Sequence, residues 1–128
     1  MQSMDLTGFK VFDFSEGIPY FSVTRSGLTF SKAVSLKLGR PPYVCLLINA
    51  EAKQVVLQTC SADTPHAVPF YRERKNDVLS VRWNSRDLIT TIERMLGTTF
   101  ENQGIRVEGV IVDEHTMLFD LNCAKTLS

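Results

Sequence analysis

The side chains in this sequence best placed for chemistry are cations next to aromatic rings. Phe70 and Tyr71 lead directly into Arg72, Arg74 and Lys75, and Arg82 and Arg86 flank Trp83. A guanidinium or ammonium group attracts phosphate, and the release of counterions from a polyanion makes such binding salt-sensitive. A neighbouring ring can stack on an unpaired base. Further cations come earlier: Arg25, Lys32, Lys37 and Arg40 lie between Glu16 and Glu51, an interval that holds no acid. Glu101, Glu108, Asp113, Glu114 and Asp120 gather late, with only Arg106 among them. The 14 Lys and Arg balance the 14 Asp and Glu, so attraction to a polyanion must come from local segregation of charge. The same cations serve equally as solvated outer faces of helices and strands. Trp83 and Phe70 serve equally as core, and for Trp83 the high average burial of large aromatics favours that reading.

Other chemistry finds little support. His66 follows Pro65, and His115 sits in a polar tetrapeptide; neither has a cysteine, aspartate or glutamate at zinc-ligand spacing. There is no Gly-x-Ser-x-Gly elbow and no glycine-rich phosphate loop. The expectation is therefore a binding protein with no catalytic residues, no metal site and no cofactor. Cys45, Cys60 and Cys123 are odd in number, with no Cys-x-x-Cys pair, which predicts reduced thiols buried as small hydrophobes. No apolar run approaches the roughly 20 residues of a membrane span, and the N-terminus lacks a secretory pattern. A cytoplasmic protein with no membrane contact is expected.

These residues need a scaffold, and 128 residues at 44% hydrophobic and 22% charged suit one globular domain, residues 1–128. Two helices are predicted. Ser31 starts one that runs to Leu38, with Phe30, Val34, Leu38 and Ala33 on its apolar face and Gly39 as its stop. Asn84 or Ser85 starts the other, which runs to Leu96 on a face of Leu88, Ile92, Met95 and Leu96, helped by Ile89, and stops at Gly97. Strands are predicted over residues 9–14, 20–24, 43–48, 54–59, 78–83, 105–112 and 117–121, from alternation and β-branched content. Residues 49–53 and 113–116 read as hairpin turns, and residues 61–77 as the connector between halves.

Each half has the same order: a strand, a helix ending in Leu-Gly, then a hairpin. The fold expected is α+β, with two β-α-β-β units as pseudo-repeats over about residues 20–60 and 78–123, and with two short helices on one face of a mostly antiparallel sheet. An unrepeated domain with the same alternation of elements is the alternative. The stretch Arg25-Ser26-Gly27-Leu28-Thr29-Phe30-Ser31-Lys32-Ala33 to Leu38-Gly39, then Tyr43 to Gln58, resembles the swapped-hairpin DNA-binding motif of AbrB-like regulators. MraZ-like members carry two such motifs in one chain. The sequence departs from that pattern where Phe30 stands at the family's proline and Arg40-Pro41-Pro42 at its Gly-Asp turn. The whole chain is also similar to a small group of bacterial proteins described as RNA-binding. The resemblance implies a nucleic-acid partner, with Arg25, Lys32, Lys37 and Arg40 on the phosphate backbone, and a homodimer joined through exposed sheet edges or hairpins is expected. With Arg72, Arg74, Lys75 and Arg82 from the aromatic-flanked clusters, these form the expected binding set. The rival expectation is a protein-protein interaction module that meets an acidic partner.

Overall fold

The computed structural model describes residues 4–10, 17–73 and 80–127. Strands β1 (Tyr20–Thr24) and β2 (Gly27–Phe30) lead into helix α1 (Lys32–Lys37), followed by β3 (Tyr43–Asn49), β4 (Gln54–Thr59) and the short β5 (Val68–Pro69). Then come β6 (Val81–Trp83), helix α2 (Arg86–Leu96), β7 (Ile105–Asp113), β8 (Thr116–Asp120), a 3-10 turn over Leu121–Cys123, and β9 (Lys125–Thr126). Every strand pairing is antiparallel. The lateral order is β5-β3-β4-β8-β7-β1-β2-β6, with β9 beside β7. The sheet curls into a half-barrel, and its two end strands approach: Trp83 Nε1 on β6 donates to the Pro69 carbonyl on β5 at 3.3 Å.

Strand alternation fixes which side is inner. On β1, Phe21 and Val23 are buried while Tyr20, Ser22 and Thr24 are half-exposed. Phe119 on β8 meets the Phe21 ring edge-on at 4.8 Å, and Phe30 on β2 meets Trp83 at 4.9 Å and Phe70 at 5.2 Å. Each fully buried side chain of this size contributes about 1.5–3 kcal/mol. Both helices put apolar residues into this same cluster.

The helices depart from expectation in detail. Phe30, Ala33, Val34 and Leu38 are all buried, as their spacing requires. Ser31, however, does not cap α1 with its side chain. Its Oγ accepts from Tyr20 N at 3.1 Å and its N–H donates to Tyr20 O at 2.8 Å, so the residue closes the β1–β2 ladder instead. Ser85 does cap α2, accepting from Leu88 N at 3.2 Å. The buried stripe of α2 is Ile89, Ile92 and Met95, with Leu88 and Leu96 half-buried. Gly39 at φ +78 and Gly97 at φ +68 supply the left-handed stops.

Strands 20–24 and 54–59 stand where alternation places them, and the other hairpin strands shift by a residue. The expected 78–83 strand is seen as the shorter β6, with residues 78–79 outside the described set; of the expected 9–14 strand, residues 11–14 lie outside that set, and Phe9 and Lys10 are exposed and in no strand. The thiols differ from expectation: Cys45 and Cys60 are half-buried and Cys123 is exposed, so none is a core residue. Cys45 and Cys60 sulfurs lie 3.5 Å apart at one end of the β3–β4 pair, each packing on the other. The hydrogen bond from Cys45 to Cys60, and then burial, raise the Cys45 pKa above that of an ordinary thiol. Among the described residues no helix is long and apolar enough to cross a membrane.

Candidate functional site

Where β5 and β6 approach, the curl leaves a cleft of about 640 Å³. β6 is the end strand of the order, so residues from both its faces reach this space. Trp83, Val81 and Leu88 supply an apolar wall, and Arg72, Arg82 and His66 supply a polar one. Among the described residues no carboxylate lines it.

Trp83 is only half-buried. Phe30 and Phe70 meet its ring edge-on, at 4.9 and 6.0 Å between centroids, and its indole N–H is bound to Pro69. The ring is thus locked in orientation while part of it stays open to the cleft. Phe70 itself is buried. The two roles weighed for these aromatics divide between them: Phe70 is core, and Trp83 is both packed and accessible.

Arg82 is fixed from several sides. Its Nη2 donates to Ser26 O at 3.0 Å and to Ser26 Oγ at 3.1 Å, its Nη1 to Thr29 Oγ1 at 3.3 Å, and its Nε to Asn84 Oδ1 at 3.2 Å. All of these acceptors are neutral, so they hold the guanidinium in place without cancelling its charge. Gly27 makes room for it: a Cβ there would stand 2.7 Å from Nη2 and 2.9 Å from Cζ. A two-residue turn, Arg25-Ser26, brings Ser26 back over β6 for this purpose. Thr24, the last residue before that turn, steadies it, with Oγ1 3.0 Å from Ser26 Oγ.

Asn84 and Ser85 continue the lining to the start of α2, where the unpaired N–H groups of the first turn carry partial positive charge. Asp87 in that first turn opposes part of this field, but it does not line the cleft. On the opposite rim His66 has φ +65, a left-handed conformation rarely held by a non-glycine residue. Such conformations cost on the order of 1–3 kcal/mol and need support from the surrounding structure.

The expected binding residues are distributed unevenly. Arg72 and Arg82, 10 positions apart in sequence, share the cleft. Arg25 lines a second hollow of about 400 Å³ together with Arg86 and Glu101. Lys32 lines a third, of about 430 Å³, over Tyr20, Ser22 and Thr29. Lys37 is in the last turn of α1, about 140° around the helix axis from Lys32. Arg40 follows at φ +54, its N–H bound to Ser35 O at 2.7 Å. Arg74 and Lys75 lie outside the described residues. Arg82 joins the three hollows, since it lines the cleft and bonds to Ser26 of the second and Thr29 of the third.

Sequence reasoning passed over Arg106, counted there only as a counterweight to the late acids. In the structure its guanidinium lies 3.6 Å from the centroid of the Tyr20 ring, and register sets it opposite Ser22. Strand alternation around Val107 was the signal that could have placed it on the outer side with Ser22. Among the described residues no group of three or more His, Cys, Asp or Glu could hold a metal ion. No protein-family model matches this chain, and no curated protein or solved structure does either.

Proposed function

We propose that this protein binds single-stranded nucleic acid, RNA or DNA, in the cytoplasm, with the cleft between β5 and β6 as its base-binding site. The observation that carries the reading is a cleft with two arginines, no carboxylate among the described residues, and an orientation-locked, part-exposed tryptophan. A base laid on Trp83 gains about 1–3 kcal/mol from stacking. Arg82 is pre-organised for the adjoining phosphate, so little rotamer freedom is lost on binding. Paired bases in a duplex cannot enter such a cleft without unstacking, which favours an unpaired strand. Arg25, Lys32, Lys37 and Arg40 are proposed as further phosphate contacts outside the cleft, and Arg74 and Lys75, also proposed as contacts, lie outside the described residues.

The architecture supports a finer reading of the same kind, two β-α-β-β units with their helices on one face. With β2 (Gly27–Phe30) in place of the expected strand over residues 20–24, β2-α1-β3-β4 and β6-α2-β7-β8 repeat one order, β2 pairs with β6, and β4 pairs with β8, both antiparallel. Copies related by a two-fold axis pair their equivalent strands in this way.

The test is fluorescence anisotropy with labelled 12-nucleotide RNA and DNA at 50 and 200 mM salt. Affinity is expected to fall with salt, and Arg72→Glu to weaken it by about tenfold, roughly 1.4 kcal/mol. Absence of binding at 50 mM salt removes the proposal.

A second reading has its own support. Leu47, Val110 and Val112 are exposed on the hairpins, as are Ile48 and Ile111. An apolar surface of this kind marks a protein contact, either a second copy of the chain or another protein. Light scattering from about 5 to 200 µM protein distinguishes a homodimer from a monomer, and a pull-down that survives nuclease favours the protein-partner role.

A further inference from the structure

The outer side of the sheet holds a second set of polar groups. Register places Arg82 opposite Thr29, Thr29 opposite Ser22, Ser22 opposite Arg106, and Arg106 opposite Lys125. One lateral row therefore crosses β6, β2, β1, β7 and β9. Its strand neighbours Val81, Phe30, Phe21 and Val107 are buried, so the row stands on the opposite, outward side. Small hydroxyls occupy the middle and cations both ends. Tyr20 lies beside the row with its ring under Arg106.

The row is continuous with the cleft. The hollow over Ser22 and Thr29 is also lined by Lys32 and Ser80, and Ser80 lines the cleft as well. Arg82 belongs to both, because it lines the cleft and its Nη1 donates to Thr29 Oγ1. Among the described residues the carboxylate of Glu108, opposite Tyr20 in register, faces the row and is held by Lys125 Nζ at 3.7 Å. That contact is between exposed groups and is easily displaced.

Resting on the nucleic-acid reading, we propose that this row is a track for the sugar-phosphate backbone of the strand whose base enters the cleft. Four strand spacings of about 4.8 Å give a track of about 19 Å along the sheet. That length suits roughly five to six nucleotides at the ~3.4 Å per nucleotide of a stacked strand. Ser22 and Thr29 hydroxyls offer hydrogen bonds to phosphate or ribose, and Arg82, Arg106 and Lys125 supply the charge. A row of hydroxyls and cations that runs into a cleft walled by Trp83 suits an unpaired strand better than a duplex, and better than an acidic polypeptide, which has no base to insert.

The experiment compares wild type with Arg106→Glu/Lys125→Glu, using a dinucleotide, a 12-nucleotide single strand, a 12-base-pair duplex and polyglutamate. The double variant is expected to lose about tenfold or more in affinity for the 12-mer, and about 1.4 from its log-log salt slope, at roughly 0.7 for each phosphate no longer neutralised. Its dinucleotide affinity should stay within about twofold, since the cleft is untouched. Lys125→Glu alone, on an exposed side chain, tests the row without disturbing the Arg106–Tyr20 stack, and Arg106→Lys should restore most of the loss. Unchanged 12-mer affinity in both charge-reversal variants overturns the track. Equal wild-type binding of duplex or polyglutamate overturns the single-strand assignment. No dinucleotide binding, with row-dependent 12-mer binding, rejects the cleft and keeps the track.

Discussion

On the outer side of the sheet, β4 and β8 carry Val56 and Leu118 between Leu47 and Val110, whereas β2 and β1 carry Thr29 and Ser22 between Arg82 and Arg106. Both are straight lateral rows over antiparallel strands, and the sides beneath them feed one apolar cluster through Val55, Phe119, Phe21 and Phe30. The inner sides are alike because folding requires it. The outer sides answer to no such demand in an antiparallel sheet, and on the proposed reading their difference reflects what each meets. One is cationic and hydroxylated, and the other leaves Val110 63% and Leu47 47% exposed. A single sheet thus presents a polar, cationic outer surface and, farther along, an apolar one.

The largest expected effect tests whether the two regions share their inner side. Phe119 lies on β8 yet touches Phe21 on β1, at 4.8 Å, and Phe30 on β2, at 6.1 Å. Phe119→Ala should cost about 3–5 kcal/mol and keep a single unfolding transition, because the ring packs both halves at once. Chemical denaturation followed by Trp83 fluorescence and by far-UV circular dichroism measures this. Two separated transitions would mean that the halves have independent cores.

Next comes the apolar row itself. Leu47→Lys with Val110→Lys should change stability by less than about 0.5 kcal/mol for each substitution, since neither side chain is buried. It should abolish any concentration-dependent association seen by light scattering while leaving oligonucleotide affinity intact. Loss of nucleic-acid binding in this variant would show that the rows do not work separately.

The contrast between rows was scarcely legible in the sequence, for a physical reason. Alternation and stop signals are local, so residues 20–24 and 54–59 and the glycine stops at 39 and 97 could be read directly. A lateral row depends on register between strands far apart in sequence: Ser22 and Arg106 become neighbours only once β1 pairs with β7. β2 was hidden as well, because Gly27-Leu28-Thr29-Phe30 follows a two-residue turn of Arg25-Ser26 that lacks an Asn-Gly signal. Phe30 read instead as part of the apolar face of α1. The cleft was half-legible, since Arg72 beside Phe70 and Arg82 beside Trp83 stand out as cations next to rings. That β5 and β6 would bring the two pairs together follows only from the curl of the whole sheet.

A smaller effect is expected at the point where the cationic row begins. Gly27→Ala puts a methyl group against the Arg82 guanidinium and Asn84 Oδ1, but the far end of an arginine can move. The fold should survive at a cost of about 1 kcal/mol, from hydrogen bonds to Ser26 given up on the surface. Affinity for a single strand should fall although no charge is removed, which separates placement of the cation from its mere presence. Unchanged affinity would mean that Arg82 needs no fixed seat.

The smallest effect lies at the tip of the apolar half, and its sign is set by pH. Asp113 accepts from His115 N at 2.8 Å and also bonds to Thr116, and these hold its carboxyl below the usual carboxylate range. A depressed folded pKa stabilises the hairpin above the unfolded value, near pH 4, and this contribution is lost as pH falls through the folded value. Asp113→Asn should therefore lower Tm slightly at pH 7, with the gap from wild type closing towards pH 2. Asp5, also lowered by its bonds to Thr7, is present in both proteins and cancels in the difference. Binding of a single strand should be unaffected at pH 7, because the tip belongs to the row that does not carry the track. A gap that persists at pH 2 would assign the carboxyl a packing role, and altered strand binding would place the tip within the polyanion surface.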